Sequence, residues 1–451
     1  MHVAKGLIEP RVLKGFRDTL PAVALERSRM IRTLEGVFSS FGFTPIDTPA
    51  LEYAEILLGK GSEETDRQLY RFTDQGGRDI ALRFDLTVPL ARFVAEHANE
   101  LGMPFRRYHI APVWRAEKPQ RGRYREFIQC DFDIIGSESL LGDAEVLGLV
   151  SASLGKLGID HELRVNNRLI LNGLLETVNA GGTAALVLRA VDKLDKLGAE
   201  VVKAELREQG GLDDAQIATV FAYLALSASD ATPTEVLREL DGLLAKSATG
   251  TAGVQALRTL FAHASEYGLA GRMLQLDLSI ARGLDYYTGM VFETRMVAMP
   301  AIGSICSGGR YDNLVNLYSN RRLPGVGGSI GLDRIFGALE ELKQLDVRTS
   351  PAQVFVAVGD DSCIAGAISI AQSLRQAGHP TELSLEAGSL GAQFKYADRR
   401  GIGLAVIFGE RERLAGTCGV KNLKTGEQVN DISLTGIAAE ITRRLTTLPR
   451  P

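Results

Sequence analysis

Residues 108–136, YHIAPVWRAEKPQRGRYREFIQCDFDIIG, constrain the fold more than any other stretch. They predict a strand, a loop and a second strand, because apolar and polar residues alternate on both sides of a segment rich in arginine. In the second strand one face carries Ile128, Cys130, Phe132 and Ile134, and the other carries Arg125, Phe127, Gln129, Asp131 and Asp133. A core therefore backs this strand, and its front face presents hydrogen-bonding groups.

The polar front face has two interpretations. An antiparallel sheet commonly exposes one face to water, so the face could simply be solvated. Solvated faces are usually rich in lysine, glutamate and threonine, whereas a glutamine and two aspartates opposite arginines are less usual. The composition of the face favours a binding site.

Four arginines cluster at the end of the predicted hairpin, and they are Arg115, Arg121, Arg123 and Arg125. Guanidinium groups repel one another unless they share an anion, and their planar forks match phosphate oxygens. Phe127 follows at a position from which it could offer an aromatic face to a base. We therefore expect a nucleoside triphosphate here, and a basic loop that serves only solubility is the alternative. Neither the P-loop pattern nor the dinucleotide-binding pattern of glycines occurs in the required context.

Two further segments place polar groups at the ends of strand patterns. In DIALRFDLT, residues 79–87, the alternation leaves Arg83, Asp85 and Thr87 on one face. Residues 274–280 alternate in the same way, which predicts a half-buried strand, and RGLDYYTG follows at 282–289. Because Arg282 and Tyr287 are five positions apart, both reach one site only if the chain bulges, and we expect that irregularity at Gly283.

The composition is that of an ordinary globular chain and provides no bulk positive charge for nucleic acid. Of 451 residues, 45% are apolar and 24% are charged, and the net charge is −4. The four cysteines stand far apart and lack the spacing of a zinc site. No apolar run has the length of a membrane span or the character of a signal peptide, so we expect a cytoplasmic protein without a membrane segment.

The patterns divide the chain into a sheet-rich part with a helical insertion and a terminal α/β part. Helical spacing covers residues 22–40, and strand patterns with a short helix cover 78–136. Strand pattern returns at 272–312, and the glycine-rich residues 325–331, which we interpret as a strand in close approach to nucleotide, lead into a helix. VFVAV and LAVIF predict buried strands of a separate domain. We place one domain at 1–345, with the insertion at about 165–270, and a second at 350–451.

The order of these motifs resembles the class II aminoacyl-tRNA synthetases and, within them, the histidyl-tRNA synthetase family. FGFTPIDTPALE (41–52) is similar to the first class motif, WRAEKPQRGRYREFIQCD (114–131) to the second and GGSIGLDRIFGAL (327–339) to the third. RGLDYYTG and SGGRYD (307–312) resemble the two signatures particular to the histidine enzymes. The C-terminal part resembles their anticodon-binding domain.

The resemblance implies a fold and an activity. The fold is α+β, a class II synthetase-like antiparallel sheet catalytic domain with a helical insertion, followed by a C-terminal α/β anticodon-binding domain. The activity is that of a histidine–tRNA ligase, which converts L-histidine and ATP to histidyl-adenylate and pyrophosphate and then transfers histidine to the 3′ end of its tRNA. ATP would be a substrate, Mg²⁺ would neutralise pyrophosphate, and the partners would be L-histidine, histidine tRNA and a second subunit in a homodimer.

The resemblance also assigns site residues. The catalytic pair at the α-phosphate would be Arg115 and Arg282, and the ATP-binding set would be Arg115, Arg123, Phe127 and Arg334. The histidine-binding set would be Asp85, Thr87, Gln129, Asp133, Tyr287 and Tyr311. Within that set Asp133 and Tyr287 would meet the imidazole, and Asp85, Thr87 and Gln129 the α-amino group. No metal ligand is assigned, and we interpret Tyr286 as a core tyrosine with a satisfied hydroxyl.

The chain departs from many bacterial members of the family at two acidic positions. Asp85 and Asp133 stand where those members carry glutamate, and both resemble the form found in eukaryotic members, so the acidic function is kept. One alternative is a regulatory paralogue that binds histidine without catalysis. Such proteins, as the resemblance implies, lack the C-terminal domain and have lost arginines that this chain keeps. A nucleotide-dependent ligase for another amine or acid fits less well, because the pocket set is complete.

Overall fold

The structure is a computed structural model, and it describes residues 8–58, 67–118, 124–180, 187, 198–227, 231–280, 286–345 and 349–447. The chain forms two compact units. The first comprises Met1–Arg17 with Met30–Leu342, and the second comprises Asp18–Arg29 with Lys343–Pro451.

The described strands are β1 (Thr44–Pro45), β2 (Leu51–Tyr53), β3 (Arg71–Thr73), β4 (Asp79–Leu82), β5 (Phe105–Trp114), β6 (Glu126–Ile135), β7 (His161–Asn167), β8 (Leu274–Leu276), β9 (Met290–Met296), β10 (Ser304–Tyr311), β11 (Gly325–Gly331), β12 (Val354–Val358), β13 (Thr381–Leu383), β14 (Leu404–Phe408), β15 (Thr417–Asn422) and β16 (Gln428–Ser433). The described α-helices are α1 (Pro21–Ser40), α2 (Ala54–Leu57), α3 (Thr87–His97), α4 (Leu140–Lys156), α5 (Arg168–Thr177), α6 (Ala199–Glu208), α7 (Asp214–Ser227), α8 (Pro233–Leu243), α9 (Ala248–Glu266), α10 (Leu332–Glu341), α11 (Ile364–Gln376), α12 (Leu390–Arg399), α13 (Glu410–Ala415) and α14 (Ile437–Thr447).

An eight-stranded sheet forms the centre of the first unit. Its order is β1-β5-β6-β11-β10-β9-β7-β8, and a separate three-stranded sheet has the order β2-β4-β3. In the large sheet β1 runs parallel to β5 and β8 parallel to β7, and the other neighbours are antiparallel. The antiparallel sheet predicted from the strand patterns is therefore confirmed.

Apolar residues cover the back of this sheet. Phe38 packs its ring against Tyr108 and Phe132, with centroids 5.4 and 5.5 Å apart. Cys130, Phe132 and Ile134 are all buried, as the alternation in the second strand predicts. Gln129, Asp131 and Asp133 on the front face are buried as well, so the solvated-sheet interpretation of that face is wrong.

Two predicted strands end earlier than their alternation indicates, and an aspartate ends each of them. β4 stops at Leu82, because Oδ1 of Asp85 accepts the backbone N–H groups of Thr87 at 3.2 Å and Val88 at 3.0 Å, so α3 begins at Thr87. β8 stops at Leu276, because Asp277 accepts the N–H of Ser279 at 3.0 Å and forms a turn. Both are local side-chain-to-backbone bonds that compete with the strand ladder.

The helical insertion and the C-terminal α/β part are observed. Helices α5 to α9 fill most of the described chain between β7 and β8. In the second unit the sheet order is β13-β12-β14-β15-β16, with β12 parallel to both β13 and β14 and the last two pairings antiparallel. Every residue of β12 and β14 is buried, as predicted for VFVAV and LAVIF.

Candidate active site

The site lies on the front face of β6, between β5 and β11. The register places Asp133 between Arg107 and Gly327, and Asp131 between His109 and Ser329. Alternate residues of a strand share a face, so Gln129, Asp131 and Asp133 form one polar row flanked by side chains of both neighbours.

Two buried side chains hold Asp133 in place within this row. Its carboxylate lies 2.5 Å from Arg107, which is completely buried, and it accepts a hydrogen bond from the Tyr311 hydroxyl. Burial raises the pKa of Asp133, while Arg107 and Tyr311 oppose that rise. A carboxylate that two side chains hold in a nearly dry position is suited to binding a polar ligand with a defined geometry.

Glycines of β10 and β11 make room for the side chains of the site. A Cβ atom at Gly327 would lie 2.1 Å from Oδ1 of Asp133, and one at Gly325 would lie 2.4 Å from the Tyr311 ring. A Cβ at Gly309 would lie 2.9 Å from the Tyr287 ring. Among the described residues the glycines of 325–331 closely approach Asp133 and Tyr311, and their approach to nucleotide stays a prediction.

Asp85, Thr87 and Tyr286 form a second group beside Asp133. Burial raises the pKa of Asp85, against the opposing effects of its bond to Val88 and of the nearby Arg115. The Thr87 side chain lowers the pKa of the Tyr286 hydroxyl, against the rise that burial causes. The Tyr286 ring meets the Tyr287 and Tyr311 rings edge-on, with centroids 5.0 and 5.8 Å apart. This environment agrees with our interpretation of Tyr286 as a core tyrosine.

A cavity of about 240 Å³ opens at the other end of the row. The residues around it are Arg115, Glu117, Tyr124, Phe127, Gln129, Ser304, Ile305, Cys306, Ser307, Ser329, Gly331, Asp333 and Arg334. Arg115 donates to the Phe84 carbonyl at 3.2 Å, and its guanidinium lies 4.2 Å from the Phe84 ring centroid and 5.1 Å from that of Phe127. Burial lowers the pKa of Arg115, but a guanidinium stays charged at neutral pH.

The structure thus brings together most of the residues assigned from the sequence. Arg115, Phe127, Gln129 and Arg334 line one cavity, and Asp133, Tyr287 and Tyr311 form the adjoining cluster. Arg123, Arg282 and the irregularity expected at Gly283 lie outside the described residues, as does Arg121. Arg125 donates to the carbonyls of Glu117 at 3.0 Å and Lys14 at 3.2 Å, so in this structure it holds backbone segments together.

Two buried residues of the site were given no role from the sequence. Arg107 carries the ion pair of Asp133, and Asp131 sits in the same row. The signal for Arg107 is an arginine inside a strand, since arginine is a residue type seldom buried unless it is paired. Asp131 was already visible as a member of the polar face, but nothing in the alternation separated it from a solvated residue.

The described residues contain no helix with the length and apolarity to cross a membrane. Within the same part of the chain, no group of three or more histidine, cysteine, aspartate or glutamate side chains could hold a metal ion.

Comparison with known proteins identifies the family of this chain. The family model for histidyl-tRNA synthetase matches residues 15–335, and the anticodon-binding domain model matches residues 353–444. The chain belongs to the histidyl-tRNA synthetase family. The histidine–tRNA ligase of Rhodopirellula baltica is 49% identical over 93% of this chain and 95% of its own length, and that of Wolinella succinogenes is 45% identical over 97% and 99%. A crystal structure of histidyl-tRNA synthetase from a Nostoc species superposes with a TM-score of 0.87 at 35% identity, over 97% of this chain and 100% of that one.

These matches confirm the fold and the activity expected from the motifs. The chain is an α+β protein with a class II catalytic domain and an anticodon-binding domain, and it acts as a histidine–tRNA ligase that uses ATP as a substrate. The two domains together imply binding of histidine, ATP and tRNA. The match to the C-terminal domain also argues against the regulatory alternative, which would lack it.

Proposed function

We propose that the polar row of β6 and the adjoining cavity are the two halves of one adenylation site, with histidine at the row and ATP in the cavity. The observation that carries this assignment is Asp133, fixed by Arg107 and Tyr311 on the strand whose other end lines the cavity through Gln129 and Phe127. The amino acid and the nucleotide then meet on a single strand.

In the histidine half, Asp133 and Tyr287 bind the imidazole. Asp133 accepts from a ring N–H, and Tyr311 holds the carboxylate in place for that bond. Asp85, Thr87 and Gln129 bind the α-amino group. An analogue without the matching nitrogen atoms leaves these buried groups unpaired, which gives discrimination of about 10⁴ or more.

In the ATP half, Phe127 offers its ring to the adenine and Arg115 contacts the α-phosphate. Arg123 and Arg334 extend toward the β- and γ-phosphates, and Arg282 lies between the α-phosphate and the histidine carboxylate. The support for Arg115, Phe127 and Arg334 is their position around the cavity, and that for Arg123 and Arg282 is the motif resemblance alone.

The reaction needs positioning and fixed positive charge more than proton transfer. A carboxylate oxygen of histidine attacks the α-phosphorus, a new oxygen–phosphorus bond forms, and the bond to the bridging oxygen of pyrophosphate breaks. Negative charge builds on the phosphoryl oxygens during this step. Buried arginines stabilise that charge without the reorganisation that water would require.

The described carboxylates fit a magnesium ion that is held mainly by phosphates. Mg²⁺ usually keeps several waters and binds through one or two carboxylates plus substrate oxygens, so a dedicated cluster is not required. Glu117 lines the cavity and would be such a carboxylate, while Asp333 accepts from Arg17 at 2.5 Å and from the N–H of Ile128 at 2.8 Å. When bound, the ion would neutralise the pyrophosphate leaving group.

Further proposals concern the oligomeric state, the roles and bounds of the domains and the cellular location. The exposed apolar side chains of the three-stranded sheet, Leu51, Tyr53 and Phe72, support a homodimer formed through the first class motif. Histidine tRNA would bind through the domain at 350–451, and the catalytic domain would span 1–345. The protein would work in the cytoplasm, where its substrates are made.

Two substitutions test the division of the site. Asp133→Asn should raise the KM for histidine far more than the KM for ATP, and Phe127→Leu should do the reverse. Both constants are measured by pyrophosphate exchange with the other substrate saturating. If the two variants change both constants alike, histidine and ATP do not occupy separate halves, and the assignment is wrong.

A further inference from the structure

Two buried acceptor atoms stand near one another on the front face of β6 without a hydrogen-bond donor among the described residues. They are Oδ1 of Asp131 and Oε1 of Gln129. Asp131 is 1% exposed and Gln129 is 9% exposed. A buried acceptor without a donor is costly, and native proteins keep few of them. Two at adjacent positions of one row indicate a ligand that donates hydrogen bonds to both.

The remaining polar atoms of the two side chains are engaged by β11. Nε2 of Gln129 donates to Oγ of Ser329 at 3.0 Å. Ser329 is also the β11 partner of Asp131 in the register, and its hydroxyl lowers the pKa of Asp131. One serine is therefore next to both side chains, and Oε1 of Gln129 and Oδ1 of Asp131 are left for a ligand.

The cations around Asp131 have other partners, although Nε and Nη1 of Arg107 form no hydrogen bond among the described residues. Arg107 pairs with Asp133 at 2.5 Å, and Arg83 donates to the carbonyls of Pro112 at 3.0 Å and Thr48 at 2.6 Å. Arg115 donates to the Phe84 carbonyl, and His109 bonds to Asp47 at 3.0 Å. Burial, together with Arg107 and Arg83, lowers the pKa of His109 to about 4, so its ring is neutral at physiological pH.

The other titratable groups that face Asp131 are acidic or neutral, and they are Asp85, Asp133, Tyr287, Cys130 and Cys306. Burial raises the pKa of Asp131 to about 7, with Arg107 opposing and Asp133 and Asp85 adding to the rise. Among the described residues no cation forms an ion pair with this carboxylate, although Arg107 is the charged group that acts on it most strongly.

We propose that Asp131 is a further specificity residue that binds the α-ammonium group of L-histidine together with Gln129. The inference rests on the histidine site proposed above and adds to it a residue that the motif resemblance did not assign. An ammonium group carries three N–H donors and one positive charge. It would donate to both acceptors and place a cation beside the Asp131 carboxylate.

The test compares histidine with an analogue that differs only at the group in question. 3-(Imidazol-4-yl)propionate keeps the ring and the carboxylate but has no ammonium. Calorimetric titration of the full-length protein with each ligand gives both affinities. We expect Asp131→Asn to weaken histidine on the order of 10²-fold, because a hydrogen bond to a charged group is lost, and to leave the propionate affinity unchanged.

A matched control uses a buried aspartate away from the cavity. Asp143 is paired with Arg310, so Asp143→Asn should change both affinities alike or not at all. Asp131→Glu keeps the charge and should recover part of the histidine affinity. If Asp131→Asn does not fold, as judged by circular dichroism, Asp131→Ser takes its place in the same comparison.

The possible outcomes distinguish a failure of this inference from a failure of the proposed histidine site on which it rests. Loss of histidine affinity alone supports the role of Asp131. An equal loss for both ligands, or none for histidine, overturns it while the histidine site stands. If the parent protein binds the propionate as tightly as histidine, the ammonium has no partner in the site, and Asp131 is excluded as one.

Discussion

Replacing Gly327 by alanine should damage the site through a single methyl group. The added Cβ would lie 2.1 Å from Oδ1 of Asp133 and 2.3 Å from the Phe132 carbonyl oxygen, whereas ordinary contacts are about 3.5 Å. The carbonyl belongs to the central strand of the sheet and has little freedom to move. The Asp133 carboxylate must therefore shift by roughly 1 Å or more, which disturbs its contacts with Tyr311 and Arg107.

The expected cost follows from the contacts that are lost. Breaking a buried ion pair costs about 3–5 kcal/mol, because the remaining charge stays buried, and we expect the free energy of unfolding to fall by about that amount. The single tryptophan, Trp114, ends β5, so its fluorescence in a urea titration reports on this sheet. The KM for histidine should rise in parallel.

Gly337 provides the control. It lies inside α10, and a Cβ there would meet no atom within 4 Å. Gly337→Ala should be neutral or stabilise the helix by about 0.5–1 kcal/mol. An unfolding curve and a histidine KM for Gly327→Ala that match those of the parent would refute the packing argument.

Three further substitutions test other parts of the account. Arg282→Ala should slow pyrophosphate exchange on the order of 10²-fold, which is the usual effect of deleting one charge-stabilising group. Its circular dichroism spectrum should match that of the parent, and exchange at the parent rate would exclude a catalytic role for Arg282. Tyr287→Phe should raise the KM for histidine more than the KM for ATP, since one partner of the imidazole is lost, and equal increases would point to a folding defect. Asp143→Asn removes the closer of the two carboxylates that pair with Arg310, leaving Asp312 at 3.6 Å, and should lower the free energy of unfolding by up to about 3–5 kcal/mol. A urea midpoint equal to that of the parent would contradict the importance of the pair.

The strands of the site were predictable because their alternation is regular, and the residues that escaped prediction depend on partners elsewhere in the chain. Alternation alone identified the apolar and polar faces of β6. It could not show that Asp85 and Asp277 would end their strands, because each does so by bonding to backbone N–H groups that the pattern treats as part of the ladder. It also could not identify Arg107, because the pairing with Asp133 is set by the register of two strands.

The glycines of residues 325–331 show the same limit of prediction from sequence. Their spacing in residues 325–331 indicates close packing, but which atoms pack there depends on the side chains of β6 and β10 that the fold brings beneath them. The motif resemblance assigned Asp133 and Tyr311 to the site, and the structure shows that these two side chains leave no room for a Cβ atom at Gly327 and Gly325 of the neighbouring strand.

The most direct test of the central claim is the exchange of labelled pyrophosphate into ATP in the presence of each amino acid in turn. The account predicts exchange with L-histidine and background rates with the others, and it predicts that Asp133→Asn lowers the histidine-dependent rate at subsaturating histidine. Exchange that does not depend on histidine, or that persists unchanged in the Asp133 variant, would contradict the placement of the histidine site on β6.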